Sequence, residues 1–446
     1  MKIYSDTKVY VECPANTASG GPELLHQLVS QLIKLNIDAY VFYLPQNTPN
    51  PTPSEYKKYH VPFTRYIEDA PHNVLIVPET AGELIYRFKK IQRVFWWLSV
   101  DNYVTNVINY LNDVKNVGFL VPVPRCFHFH ATNSDDIEHW LQSEYARRFC
   151  LINGVPESRL KTVRDYVNSN FLLRAAHIDN AAKQNIIAFN PKKGFEFTRK
   201  LIQAAPDLVW ARIQNMSPEQ VRELLVHSKI YIDFGNHPGR DRIPREAAVS
   251  NCVIITGRRG AAANPIDIAI DDEFKFEDSD ENIPRIVDRI KEILADFPTA
   301  FEKQQTYREE IMREPETFAR EVEAACDFVE PRARFQHAAA LQDITDEKNL
   351  PAFGGMTRTM SHLKLSCVVD NAKYRGGLSS GSSRASNRTA RIFCGLTRFR
   401  SSRSKTPRFC IARGASINSS FTSRAKRRKF FCGRRSFGSE FVRTTC

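Results

Sequence analysis

IYIDFGNHPGRDRIPREAAVSNCVIITGRRGAAAN, residues 230–264, reads in order as strand, polar loop, short helix, strand and Gly-rich turn. Two apolar runs joined through a helix form a βαβ unit, which requires a parallel sheet. In open sheets of that kind, ligands bind beyond the carboxyl ends of the strands, where loops and helix N-termini present N–H groups. The loop here carries His237, Pro238, Gly239, Arg240, Asp241 and Arg242, and Pro244 stands near the helix start, where its missing N–H costs nothing. This chemistry suits an anionic ligand.

Working outward, short apolar runs alternate with helical patterns through the first 330 residues. Strands are expected at Val9–Cys13, Ala39–Leu44, Asn73–Val77, Arg93–Leu98, Cys126–His130, His139–Ser143 and Leu160–Tyr166, with a helix at Glu23–Leu35. A polar bridge, Asn168–Lys183, leads to a second series: strands at Asn185–Phe189, Val209–Ile213, Ile230–Phe234 and Cys252–Thr256, with helices at Phe195–Ala205 and Pro218–Ser228. Ile283–Phe328 reads as helical and closes the fold. The fold class is therefore α/β, with two Rossmann-like domains at residues 1–168 and 169–330 facing across a cleft, a preferred place for a small-molecule site.

The formal charge of +13 belongs to the C-terminal quarter. From Met356 onward there are 21 Lys plus Arg against two acidic residues, so the tail holds about +19 and residues 1–355 about −6. Residues 331–446 are expected to be a linker and a disordered Arg/Ser-rich tail, because their composition cannot support a packed core. An anion-binding arm centred on RAKRRK is the alternative for that segment, and nucleic acid is not an expected partner of the body. The ten cysteines include no C-x-x-C pair, so neither a disulfide framework nor a zinc site is expected. The start has no apolar leader and no run of 18 apolar residues exists, which makes a cytoplasmic location the expectation.

Several motifs carry chemistry. Gly20-Gly21-Pro22-Glu23 lies between the first strand and first helix, where the backbone is able to approach a ligand; a tight turn without a ligand explains it equally well. The dinucleotide and P-loop glycine patterns are both missing, which argues against an NAD enzyme and a P-loop NTPase. Asn190-Pro191-Lys192-Lys193-Gly194 occupies the matching loop of the second domain and would place the Lys193 ammonium beside a phosphate. Asp101, after the aromatic strand Phe95-Trp96-Trp97, is a candidate base or hydroxyl ligand, and capping the next helix is an equal alternative. His128 with His130, and Asp278 with Asp280, have metal-like spacings, but a satisfied histidine and a solvated acidic loop are the stronger readings; no metal site is assigned.

The order of GGPELLHQL, QSEYARRF, LINGVPESRLKTVRDYV, NPKKG and PREAAVSNCVIITGRRG resembles that of GT-B glycosyltransferases of the family 4-like group, over about residues 3–328. The resemblance implies transfer of a sugar from a nucleotide-diphosphate donor, without a metal and with retention, to a glycan or lipid-linked acceptor in polysaccharide biosynthesis. The nucleotide-sugar is then a substrate and no cofactor is implied; a peripheral membrane contact remains open. By position, Lys193 would contact the diphosphate, Glu246 the ribose hydroxyls and, as part of the catalytic set with Asp101, the reacting region. Gly257 to Gly260 would border the donor, and Gly20 and Gly21 would lie near diphosphate and acceptor. Two departures stand out: Pro238 occupies the position eight residues before Glu246 where an acid is expected, and Ala188 replaces an arginine. Arg240, Arg242 and Arg245 are the candidates to compensate as diphosphate ligands, since a guanidinium grips phosphate bidentately. A catalytically silent sugar-nucleotide-binding or assembly protein is the competing reading.

Overall fold

The computed structural model describes residues 1–117, 126–129, 134–175 and 177–329, together with the backbone of four short strands further on. In chain order the first domain comprises β1 (Lys2–Ile3), β2 (Lys8–Pro14), α1 (Gly20–Lys34), β3 (Asp38–Leu44), β4 (Phe63–Thr64), β5 (Val74–Pro78), β6 (Gln92–Trp97), α2 (Val100–Val117), β7 (Glu138–Leu141), α3 (Glu144–Ile152) and β8 (Leu160–Thr162). After α4 (Ser169–Ala175) the second contains β9 (Gln184–Phe189), α5 (Phe195–Ala204), β10 (Val209–Arg212), α6 (Pro218–His227), β11 (Ser228–Asp233), α7 (Arg242–Val249) and β12 (Val253–Thr256). Helices α8 (Ile283–Ala295), α9 (Phe297–Glu302), α10 (Gln305–Met312) and α11 (Glu314–Ala325) follow, then β13 (Asp327–Phe328).

Both main sheets are wholly parallel, ordered β4-β3-β2-β5-β6-β7-β8 and β10-β9-β11-β12. Strands β5 (VLIVP) and β12 (VIIT) are buried at every position, as strands covered on both faces must be. The expected pair of Rossmann-like domains across a cleft is thus the observed architecture. The segment Cys126–Phe129 is not a strand; it packs its side chains among Tyr86, Phe95, Trp97 and Phe149, so its alternating apolar pattern serves an aromatic core instead of a ladder.

Strand order reverses between β2 and β5 in the first sheet and between β9 and β11 in the second. The second reversal is closed by close-packed backbone. Gly194 has φ 60°, and a Cβ there would stand 2.4 Å from the Phe234 carbonyl, while one on Gly235 would meet the Lys193 side chain at 2.4 Å. The first reversal opens into the interdomain cleft, described below.

Helix α11 and strand β13 do not stay with the second domain. Phe318, Val322 and Ala325 of α11 join the core formed by α1 and the first sheet, and β13 pairs in parallel with β1. Among the described residues no helix is long and apolar enough to cross a membrane, and Cys13, Cys126, Cys150, Cys252 and Cys326 are free and buried. The tail expectation falls almost wholly outside the described residues. Only Leu365–Val369 with Ala390–Cys394, and Thr397–Phe399 with Arg408–Cys410, are described there, as antiparallel backbone pairs.

Gly194→Ala should lower stability by about 1 kcal/mol or more, because it combines a left-handed backbone with a backbone collision. A thermal melt unchanged from wild type would contradict this account of the β9–β11 crevice.

Candidate functional site: the interdomain cleft

A cleft of 1290 Å³ lies at the carboxyl ends of both sheets. From the first domain it is lined by Glu12, Gly20, Gly21, Glu23, Glu79 and Asn102; from the second by Ile213, Arg222, Arg240, Arg242 and Glu246. At its centre is Arg242, the first residue of α7. Its Nη1 is 2.7 Å from Glu23 Oε2 across the cleft, and its Nη2 is 3.2 Å from Glu246 Oε1 one turn on. The Arg242 side chain runs over Gly20, where a Cβ would come within 2.9 Å of Cδ; the glycine therefore makes room for a side chain of the other domain.

Glu23 also accepts hydrogen bonds from Lys58 (3.0 Å), Tyr59 (2.7 Å) and Asn168 (2.8 Å). Burial pushes its carboxyl up, but Arg242, Tyr59 and Lys58 overcome that and hold it below the usual range. Glu246 is shifted the other way: burial raises it, and Arg242 and Arg245 only partly compensate. The α1 helix that begins at Gly20 has Glu23 in its first turn, where negative charge is favoured.

The remaining arginines of the loop have a different task. Arg245 is 1% exposed, bonded through Nη2 to Asp165 (2.6 Å) and through Nη1 to Glu314 (2.9 Å); Arg240 Nη2 reaches Glu314 Oε1 at 2.7 Å. Glu314 starts α11 and also accepts from the Val167 N–H, so three stretches of chain meet in one buried network. The loop backbone is bound to the first domain as well. Gln142 accepts from Arg240 N–H (2.9 Å) and Pro238 C=O accepts from Val100 N–H (3.1 Å), while a Cβ on Gly239 would lie 2.6 Å from Leu98 O. On the same side Asp267 accepts from the N–H groups of Glu144 and Tyr145 at the start of α3.

Lys193 lies outside the cleft lining, its Nζ 2.5 Å from Asp241 Oδ2. Asp241 in turn stands 3.3 Å from His237 Nδ1, and Asp233 is 3.6 Å from Nε2 of that fully buried ring. Among the described residues neither ring nitrogen has a hydrogen-bond partner. Gly257 packs on Phe234, and Gly260, with φ 59°, bridges to His237; neither lines the cleft. Asp101 is buried in the first turn of α2, also away from the cleft, with Tyr145 OH 3.4 Å from its Oδ1. Thus Gly20, Gly21, Arg240, Arg242 and Glu246 are brought to one cavity, while Asp101, Lys193, Arg245, Gly257 and Gly260 are not.

His128 is buried between Tyr86 and Tyr110, and desolvation pushes it down to about 4, the state of a neutral core histidine; His130 lies outside the described residues. Asp278 pairs with Arg259 and Asp280 with Lys200.

Two residues of the cleft carry no sequence motif. Glu12 interrupts the otherwise apolar run of β2, and Glu79 follows β5. Burial raises the Glu12 carboxyl to about 8, with Glu83 and Glu79 adding to it, and raises Glu79 to about 7. A charged residue in a central strand was the available signal, since such a residue is almost never fully buried without a task.

No family model matches the sequence, and no curated protein matches it. Among solved structures the chain is similar to HepE of Anabaena in complex with UDP-glucose (TM-score 0.47, 10% identity, covering 71% of this chain and 98% of that one). It is similar also to a glycosyltransferase from Rickettsia africae (TM-score 0.46, 13%, covering 72% and 98%) and to WaaG, a glycosyltransferase involved in lipopolysaccharide biosynthesis (0.43, 12%, covering 70% and 98%).

Arg245→Leu should cost about 3–5 kcal/mol, because Asp165 and Glu314 would keep their burial and lose their counter-charge; urea unfolding measures it. A second expectation concerns pH. Glu12 and Glu79 have folded values above the unfolded one near 4.5, so their favourable share is full below that value and is lost as pH rises through about 7 and 8. Melting temperature should decline across that window, and Glu12→Gln should flatten the decline; an equal slope in the variant would contradict the assignment.

Proposed function

We propose that the protein is a glycosyltransferase moving a sugar from a nucleotide-diphosphate donor to a glycan or lipid-linked acceptor. The observation that carries this reading is the Arg242 guanidinium, set in the cleft between the first turns of α1 and α7 beside Gly20 and Glu246. It is the kind of preorganised cation that stabilises a departing diphosphate as negative charge develops, without a protein nucleophile. The N-terminus of α7 adds its partial positive charge on the same side. In this reading side-chain and helix charges do the work of a metal, and Glu246 holds donor hydroxyls. Ile213, just after β10, and Arg222, within α6, line the part of the cleft left for the nucleoside. Retention of configuration follows only from the family resemblance. Lys193 would reach a diphosphate by exchanging Asp241 for it.

A second reading, a sugar-nucleotide-binding protein without turnover, is favoured by Pro238, whose carbonyl is committed to Val100, and by the carboxylates that occupy Arg242 and Lys193. Calorimetry with UDP, followed by UDP-glucose hydrolysis, separates the two: binding without hydrolysis selects the second. Arg242→Ala should weaken UDP binding at least about tenfold, in line with loss of a charge-assisted phosphate contact worth about 1.5–3 kcal/mol. Intact UDP affinity in both Arg242→Ala and Lys193→Ala would overturn the donor assignment.

A further inference from the structure

Glu12 is the most unusual side chain of the cleft. It is 2% exposed, it lines the cavity, and its Oε2 has no hydrogen-bond partner among the described residues. It projects from β2 on the face opposite α1, since Val9, Val11 and Cys13 pack on the α1 side and the strand alternates. Its position is the carboxyl end of β2, beside β5, where the strand order of the first sheet reverses. That crevice is where open parallel sheets take ligands, and here, unlike at the β9–β11 reversal, the described residues leave it open to the cleft.

The charges around it narrow the ligand. Glu79 stands at the start of the next loop, its Oε2 accepting from Leu98 N–H (3.1 Å) and its Oε1 from Asn102 Nδ2 (3.4 Å). It is thereby fixed as an acceptor. Glu83 lies one turn further on, also on the lining. The charged groups acting on Glu12 are these two carboxylates, Glu83 first, and both push its proton on rather than off. A hydroxyl would satisfy one lone pair and leave the electrostatic conflict in place. A cation resolves both.

We propose that Glu12 and Glu79 form a subsite for a protonated amine, so that the molecule received on the first-domain side of the cleft is an aminosugar or another amino-polyol. The ammonium pairs with the Glu12 carboxylate and is flanked by Glu79, while Asn102 and Thr80 offer polar contacts to neighbouring hydroxyls of the ligand. Together with the donor assignment, on which this use as an acceptor subsite rests, it makes the protein a transferase for amine-bearing acceptors. The binding itself does not depend on that assignment.

The test is isothermal titration of the full chain at pH 7 with D-glucosamine, D-glucose and N-acetyl-D-glucosamine as probes, with UDP titrated in parallel. Glucosamine should bind at least about tenfold more tightly than the other two sugars. Binding should release a proton from Glu12, seen as a heat that changes between buffers of different ionisation enthalpy. Glu12→Gln should lose both the preference and the proton release while binding UDP as wild type does, which shows that the variant is folded. Equal affinity for the three sugars, or a Glu12→Gln variant that keeps the preference, overturns the proposal. Glucosamine binding without UDP binding leaves the subsite standing and removes the donor reading; UDP binding without an amine preference does the reverse.

Discussion

The buried contact of Arg245 with Asp165 and Glu314 is the constraint on which the two-domain arrangement depends. Each partner belongs to a different part of the chain: the helix after β11, the segment leaving the first sheet, and the helix that returns to it. Two carboxylates around one guanidinium, with Arg240 adding a second cation, balance the charge that burial would otherwise forbid. The desolvation cost is large, so such a network is weak evidence for stability. Its value is geometric, because any slide of one domain over the other separates charges that no water can reach.

That tie explains what the loop HPGRDR is for. Pro238, Gly239 and Arg240 are held against Val100, Leu98 and Gln142, and Arg245 anchors the helix that follows. Arg242 alone among the three arginines is aimed across the open cavity. The cleft is consequently asymmetric in charge. A cation faces carboxylates at the α1–α7 boundary, and an acidic pocket lies deeper, at the β2–β5 crevice. A substrate with separated positive and negative groups would meet complementary charge at both places.

Fold class was legible because parallel strands buried on both faces leave near-continuous apolar runs, as at Val74–Pro78 and Val253–Thr256, with punctuated helices between them. Cys126–Phe129 misled because aromatic alternation has the same period whether it serves a ladder or a cluster. Of the candidate residues, Gly20, Gly21, Arg240, Arg242 and Glu246 line the cleft. Local motif position could not rank three neighbouring arginines, since which one is neutralised depends on Asp165 and Glu314, 69 to 80 residues away. Nor did it separate Lys193 from Asp241, which meet only where two loops cross. Glu12 escaped because a single acid at the end of a strand ordinarily reads as solvent-facing.

The return of α11 and β13 to the first sheet also bears on the order in which the molecule assembles. Phe318, Val322 and Ala325 complete a core whose other members lie mostly before residue 100, so the first domain lacks part of its interior until the second has been synthesised. Folding therefore cannot proceed strictly one domain at a time from the N-terminus, as multidomain chains generally do. The closing contacts span more than 300 residues, a loop-closure entropy met late, and they make final compaction of the two domains a single event.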